Sequence, residues 1–334
     1  MNRSARNIII GLMAVLLLAG CGSSASDKPR IVASKGLPSE LLLVVDKAVW
    51  QSDVADTLMA ITQSDVPGLM QHEDYFRVTR IFSPYYVQKY TTMHSQLFVT
   101  LDGNLKKPLL GVSYDVVARP QIQVTVSAPN LDELRRFLST RAPQIRQLIG
   151  EAQLDMRAAQ LRKRYSQQAA QDLKAVMGYT ICAPENIRAT KKGKRFLWAG
   201  SNLNEKDLNV VVYTYPWDGS EVRTPESFVS RRDSVMKANI PGSEADQWMQ
   251  TTRIDGRPIL TSVLRPMNGQ LTQEVHGLWE MRNGALGGPF VSLVRIDSLA
   301  SEVIVAEGFV YSPSTDKREL LRTVEASLRT LRKV

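Results

Sequence analysis

Cysteine is nearly absent from this chain: 334 residues contain two, Cys21 and Cys182. So few thiols leave no disulfide framework and no Cys-x-x-Cys metal or redox motif. Histidine is almost as scarce, at His72, His94 and His276. None sits in a His-Glu-x-x-His arrangement, so a dedicated zinc site lacks its usual ligands. A Gly-x-x-x-x-Gly-Lys-Ser/Thr phosphate loop, a dinucleotide fingerprint, a calcium loop and a Gly-x-Ser-x-Gly elbow are all missing, which removes the motif-bearing nucleotide, cofactor and serine-hydrolase classes. No cofactor and no metal is expected. Acid is in deficit as well: 33 Asp and Glu face 42 Lys and Arg, a formal net charge of +9, and such a surface suits anionic partners. The apolar run Ile8–Ala19 stops at twelve residues, short of the roughly 20 that a transmembrane helix needs.

What is present begins at the amino terminus. Arg3 and Arg6, with no acid nearby, precede that short apolar run, the pattern of a secretory signal peptide. The run ends in Leu18-Ala19-Gly20-Cys21, which resembles a bacterial lipobox. The resemblance implies cleavage after Gly20 and lipid on the Cys21 sulfur, so Cys21 is the expected membrane anchor. Once Cys21 is lipidated, Cys182 is left as a lone thiol. It lies in the apolar run Tyr179–Ala183 with no activating base nearby in sequence and reads as a small core residue. Residues 1–20 are thus the expected signal peptide and 21–36 the lipidated cysteine with a small, polar tether.

The rest of the chain reads as α+β: two mixed modules with largely antiparallel sheets packed by helices, joined by a long helix. The N-terminal module is expected over 37–155, with strands at Leu41–Asp46, Phe76–Phe82, Gln96–Leu101, Leu109–Ala118 and Gln121–Ser127. A helix capped by Ser52 or Asp53 follows the first strand, and Asn130 caps another with acids in its first turn. Pro143 can open a longer helix to about Met177, roughly 50 Å long. Its middle, Arg157–Gln168, is short of large apolar residues, so 156–177 is the expected solvated bridge. The C-terminal module, 178–334, has strands at Tyr179–Ala183, Arg195–Gly200 and Leu208–Tyr215 and a helix over Pro225–Asn239. Four or five strands then run from Thr251 to Tyr311, and a helix over Arg318–Leu331 closes the chain. No helix interrupts the late strands, which predicts an antiparallel meander.

Candidate chemistry concentrates in Thr272–Arg282. Period-two spacing puts Glu274, His276, Glu280 and Arg282 on one face and Val275, Trp279 and Met281 on the other. With Arg295 and Asp297 from the next strand, a polar patch would form in which Glu280 is a general acid or base and His276 its partner. The competing reading is a half-solvated sheet with cross-strand ion pairs, and it is preferred. Asn283–Pro289 is a glycine-rich hairpin loop that explains itself as a turn. Trp217, in Pro216-Trp-Asp-Gly219, can stack on a sugar or close the end of a core; with Arg282 and Arg295 it completes the candidate ligand or partner contacts. His72-Glu73-Asp74 is compact, but adjacent side chains diverge, so a solvated loop is expected. Ser234-Val-Met-Lys237 matches the Ser-x-x-Lys of penicillin-binding enzymes without their Lys-Thr-Gly, and reads as helix surface.

The lipobox, the strand Leu43-Val-Val-Asp46 followed by Trp50, Gly277-Leu-Trp-Glu280 and Gly287-Gly-Pro-Phe-Val-Ser292 stand in an order that resembles uncharacterised lipoproteins of the Bacteroidota, a domain of unknown function. That resemblance implies a location and a fold style; it carries no catalytic residues. Surface-exposed members of that group tend to bear an acidic cluster after the lipidated cysteine, whereas here Asp27 is followed by Lys28 and Arg30. The expected location is therefore the outer membrane facing the periplasm, with surface exposure left open. Residues 178–311 are also similar in element order to small α/β/α sandwiches of the photosystem-accessory type. The resulting expectation is a non-catalytic envelope protein, attached to the membrane through Cys21, that binds an anionic envelope polymer or an envelope protein. Export leaves no nucleic acid to bind. The alternative is an unrecognised envelope hydrolase using Glu280 and His276.

Overall fold

The structure is a computed structural model that describes residues 31–267 and 269–334. Cys21, the signal peptide and most of the tether lie outside the described residues.

The N-terminal module holds β1 (Glu40–Val45), α1 (Val54–Thr62), β2 (Arg77–Phe82), β3 (Ser95–Leu101), β4 (Leu109–Tyr114) and β5 (Ile122–Ala128). The strand order is β2-β1-β3-β5-β4. Leu41–Val45 are buried throughout, as expected of an inner strand of a parallel sheet, where both faces are covered and alternation disappears. The expected antiparallel arrangement fails in this module. β1 is parallel to β2 and to β3, β3 is parallel to β5, and only β4 runs antiparallel to β5. The physical reason is connection length: α1 and its flanking loops separate β1 from β2, and residues 83–94 separate β2 from β3, long enough for the crossovers that parallel neighbours require.

The long helix is also placed differently from expectation. α2 (Leu131–Lys163) runs through Pro143, and the break falls at 164–166, before α3 (Gln167–Met177). A proline inside a helix costs about 3 kcal/mol. Leu134, Leu138, Ile145 and Ile149 on either side of it are fully buried in the core, each worth about 1.5–3 kcal/mol, so packing outweighs the missing hydrogen bond. The Asn130 side chain accepts from the Glu133 N–H at 2.9 Å, as expected. Ser166 caps α3 by accepting from Ala169 N–H at 3.2 Å, a start signal that the sequence reading passed over.

The C-terminal module contains β6 (Ala189–Gly193), β7 (Phe196–Gly200), β8 (Asp207–Pro216), α4 (Pro225–Asn239), β9 (Met249–Thr251), β10 (Leu260–Met267), β11 (Gln270–Met281), β12 (Gly287–Asp297), β13 (Glu302–Tyr311) and α5 (Arg318–Leu328). Its sheet order is β9-β11-β12-β13-β8-β7-β6, with β10 on the same edge of β11 as β9. Every pairing is antiparallel, the meander that uninterrupted late strands dictate. α4 packs Phe228, Val229 and Met236 on one face. α3 and α5 cover the other with Ala169, Leu173, Leu321, Val324 and Leu328. At Gly308 a Cβ would lie 2.6 Å from Val324 Cβ, so only glycine lets α5 seat this closely.

The segment expected to be a solvated bridge is packed. Leu154 and Ala158 of α2 meet Ala326 of α5, and the Arg157 guanidinium pairs with Glu319 at 2.5 Å. The expected solvated loop at His72–Asp74 is likewise half wrong. Glu73 is buried, and its carboxylate accepts the backbone N–H groups of Lys317 and Arg318 at 2.7 and 2.8 Å, where a helix start favours an anion. His72 does remain exposed, beside Asp65. One module thus caps a helix of the other.

Candidate functional site

Strand β11 places the expected polar set as period two requires, but in a different setting. His276 is 8% exposed and Glu274 is buried too. His276 Nε2 lies 2.9 Å from Glu274 Oε1. Arg265 from β10 pairs with Glu274 and, at 2.5 Å, with Glu151 of α2. Arg329, just after α5, reaches Glu151 at 2.5 Å and Glu325 at 3.5 Å. Carboxylates and guanidiniums from both modules are thereby locked together at their junction. Burial lowers the pKa of His276; Glu325 opposes that shift, and Arg265 and Arg329 add to it. Donor atoms of Glu274, His276 and Glu325 fall within 4.8 Å of one another, a cation-site spacing, yet guanidiniums already hold these carboxylates.

Glu280 is not part of this cluster. Four strand positions, about 13 Å, separate it from His276, and its Oε1 accepts from Gln250 Nε2 at 2.8 Å. The structure does not bring the proposed acid–base pair together. Arg295 is buried against Thr272 and Met267, with Nε 3.3 Å from the Thr272 hydroxyl, and burial lowers its pKa. Asp297 is held by Lys333 at 3.2 Å. Arg282 stacks over Trp248 at 4.5 Å, and Lys237 lies over the same ring at 4.0 Å. Trp217 packs at the end of the core, its Nε1 donating to Ser220 O at 2.7 Å. Cys182 is half-buried rather than fully buried.

The sequence reading missed a second ionic pair. Arg232 of α4 and Glu307 of β13 are both 0% exposed and make a two-bond contact, Nε–Oε2 at 2.8 Å and Nη2–Oε1 at 2.7 Å. Ser292 donates to Glu307 at 2.6 Å, and the guanidinium lies 4.1 Å over Phe290. Burial works against the charge of Arg232, and Glu307 outweighs it, leaving the pKa above its ordinary value. The available signal was an acid inside the apolar strand Val303-Ile-Val-Ala-Glu-Gly-Phe-Val310.

An open cleft lies beyond the end of α4, on the same face. About 740 Å³ in size, it is lined by Trp198, Asn209, Trp279, Phe309 and Tyr311, the 240–249 segment and the glycine-rich loop 284–286. Register explains the convergence: Asn209 pairs across from Phe309 and Gly200, and Trp279 across from Gly288, so their side chains share one face. Trp198 is pinned by Nε1–H donation to Asn209 Oδ1 at 2.8 Å, and Asn209 donates onward to Asp207 at 2.8 Å. Trp279 stands edge-on to Phe309, 5.3 Å between centroids, and donates to Val310 O at 3.2 Å. Asn202, Asn204, Ser243 and Gln247 supply polar groups around this aromatic floor, and its lining holds no Lys or Arg. Asp207 adds a carboxylate to the lining, and such a surface suits a ligand with one apolar face, several hydroxyls and no negative charge. Period-two spacing predicts Trp279 and Met281 on the face opposite His276, and the structure has them there, at the cleft. Trp198 and Tyr311 carried no signal, because only strand register brings them to Trp279.

Residues 166–330 match a family described as a domain of unknown function (DUF4837). Residues 34–162 match a second domain of unknown function (DUF8532). No curated protein matches the chain. Among solved structures, a point mutant of the protein Mog1 is similar over 47% of this chain and 91% of its own, at 10% identity and a TM-score of 0.29. The Saccharomyces cerevisiae Ran-binding protein Mog1p is similar over 47% and 90%, at 8% identity and a TM-score of 0.31. Likeness at that level carries no argument about fold or function.

Proposed function

We propose that this chain is a membrane-anchored cell-envelope protein that binds, without chemistry, an uncharged saccharide portion of an envelope polymer in the aromatic cleft of its C-terminal module. The observation that carries the reading is the pinned Trp198 beside Trp279, Phe309 and Tyr311, ringed by amides and hydroxyls. Aromatic faces cover sugar C–H surfaces, while Asn, Gln and Ser exchange hydrogen bonds with hydroxyls. The lipobox-like Leu18–Cys21 and the basic composition support an exported chain attached through lipid on Cys21, at the outer membrane facing the periplasm. The hydrolase alternative finds no support in the geometry: His276 is engaged with Glu274 inside the module junction, and Glu280 with Gln250.

The test is titration of the soluble chain with neutral envelope glycans, followed by tryptophan fluorescence and calorimetry. Saturable binding that Trp198→Ala weakens roughly tenfold or more supports the reading. No binding to any glycan in the panel, or binding indifferent to Trp198→Ala, overturns it. Metabolic labelling of cells with a lipid precursor checks the anchor, with Cys21→Ser as the negative.

A further inference from the structure

The aromatic cleft holds no cation, but a second cleft is rich in them. About 270 Å³ in size, it is bounded by Ala33–Pro38 on one side and by α2 on another, and its lining includes Lys35, Arg119, Arg157, Lys163 and Arg322 together with His94. Two of these cations are neutralised: Arg119 by Asp115 at 2.6 Å and Arg157 by Glu319 at 2.5 Å. Among the described residues, no carboxylate pairs with the other three. Arg322 is the telling one. It is 3% exposed, its guanidinium lies 4.9 Å over the Tyr75 ring, and its described hydrogen bonds go to neutral acceptors: Ser39 Oγ at 3.5 Å, Tyr75 O at 3.3 Å and Gly150 O at 3.2 Å. A buried guanidinium ordinarily has a carboxylate or an equivalent anion. Lys35 and Lys163 stand exposed at the same cleft. His94 adds a polar wall, since the Leu37 carbonyl, 2.9 Å away, can only accept; Nε2 therefore carries the proton.

The surroundings bear on the source of the anion. Val32 pairs alongside Ala118, so Ile31 and Val32 lie beside Val116 and Val117. All four side chains are exposed, by 40% to 49%. Exposed apolar residues next to a basic cleft are what a protein needs to sit at a lipid headgroup layer.

We propose that the cleft walled by Lys35, Lys163 and Arg322 is a phosphate-binding site, taking either an anionic lipid headgroup or a free phosphate compound. It is distinct from the aromatic cleft and does not depend on lipid attachment at Cys21. Phosphate supplies several acceptor oxygens and the charge that Arg322 lacks.

The experiment uses the chain from Ser23 onward, because both cores and every described element fall within residues 31–334. The variant is Lys35→Gln with Lys163→Gln; both side chains are exposed and make no ion pair among the described residues, so the fold is retained, as its unchanged Tm must show. Inorganic phosphate is titrated by calorimetry, and phosphatidylglycerol vesicles are compared with phosphatidylcholine vesicles by co-sedimentation. The expected result is saturable binding that weakens with salt and falls roughly tenfold or more in the double variant. Selective binding to the phosphatidylglycerol vesicles assigns the site to a headgroup; phosphate binding without vesicle binding assigns it to a free phosphate compound. Absence of both, or binding that the double variant leaves unchanged, overturns the proposal.

Discussion

The two faces of strand β11 share one backbone and meet opposite fates. On one, Glu274 and His276 are buried and held in an ion-pair cluster with Arg265, Glu151 and Arg329. On the other, Trp279 and Met281 line a cleft of about 740 Å³. The polar face is shut by its ion pairs around Glu274 and His276, whereas the buried Trp279 and Met281 of the apolar face border an open cleft. The difference lies in what covers each face. α5 and the N-terminal module meet over the polar side and pair its charges. On the apolar side α4 covers only part of the sheet, and beyond its end Trp198 and Tyr311 are half-buried while Trp279 and Phe309 stay buried. The shut face joins the modules; the open face is the one able to receive a ligand.

The largest effect should come from the covered part of the apolar face. Glu307→Gln removes the two-bond partner of buried Arg232 and leaves it only Asp233, 3.6 Å away, as a counter-charge among the described residues, which costs up to about 3–5 kcal/mol. Chemical denaturation is expected to show that loss, with Arg232→Met plus Glu307→Leu recovering much of it. A loss below about 1 kcal/mol in the single variant would mean that water reaches the pair, and the contrast between covered and uncovered ends of this face would collapse. Next comes Trp198→Ala. Trp198 is half-buried, so stability should fall by only about 1–2 kcal/mol, while glycan binding falls roughly tenfold or more. Stability and binding lost in proportion would make the cleft mere packing.

The shut face gives a smaller, pH-dependent effect. His276 and His94 both have pKa values lowered by burial. The unfolded chain therefore binds more protons than the native one once pH falls below the ordinary histidine pKa of about 6.5. Stability from these groups is complete above that value and is lost as pH drops toward the lowered pKa values. The Tm should decline from about pH 7.5 to about pH 5.5, and His276→Gln should flatten part of that slope. His72, raised by Asp65, runs in the opposite sense but is solvent-exposed. A Tm that climbs on acidification would place a protonated His276 in the native cluster, and the shut face would then be a charge-completing site.

How far the sequence disclosed this arrangement depended on the range of the forces involved. Period-two spacing placed Glu274 and His276 together and Trp279 opposite, because side-chain alternation is local. Pro225 and Asn239 bounded α4 as expected, with Thr224 capping it through Ser227 N–H at 3.1 Å. The meander was legible because no helical period interrupts it. Burial of His276 was not, since it depends on Glu151 and Arg329, more than a hundred residues upstream and some fifty downstream. Arg157 looked like part of a polar helix face for the same reason; Glu319 is its partner only in three dimensions. Parallel pairing in the N-terminal sheet was hidden too, because a strand does not encode which neighbour it joins.

The smallest expected effect is Glu280→Gln, and it separates the binding reading from the catalytic one most cleanly. Glu280 shares a face with His276, but its one described hydrogen bond is to Gln250, a neutral partner on an adjacent strand. It is half-exposed, and the amide keeps the size and one acceptor oxygen of the carboxylate. Substitution should shift stability by less than about 0.5 kcal/mol. It should leave glycan affinity unchanged as well, because the residue does not line the aromatic cleft. A general acid or base behaves differently: its amide loses the transferable proton and typically 10²–10⁴-fold in rate. The wild-type chain and Glu280→Gln should therefore show the same glycan binding and no difference in glycan turnover. Turnover by wild type that vanishes in Glu280→Gln would move the chemistry onto the polar face and leave the open face with substrate binding alone.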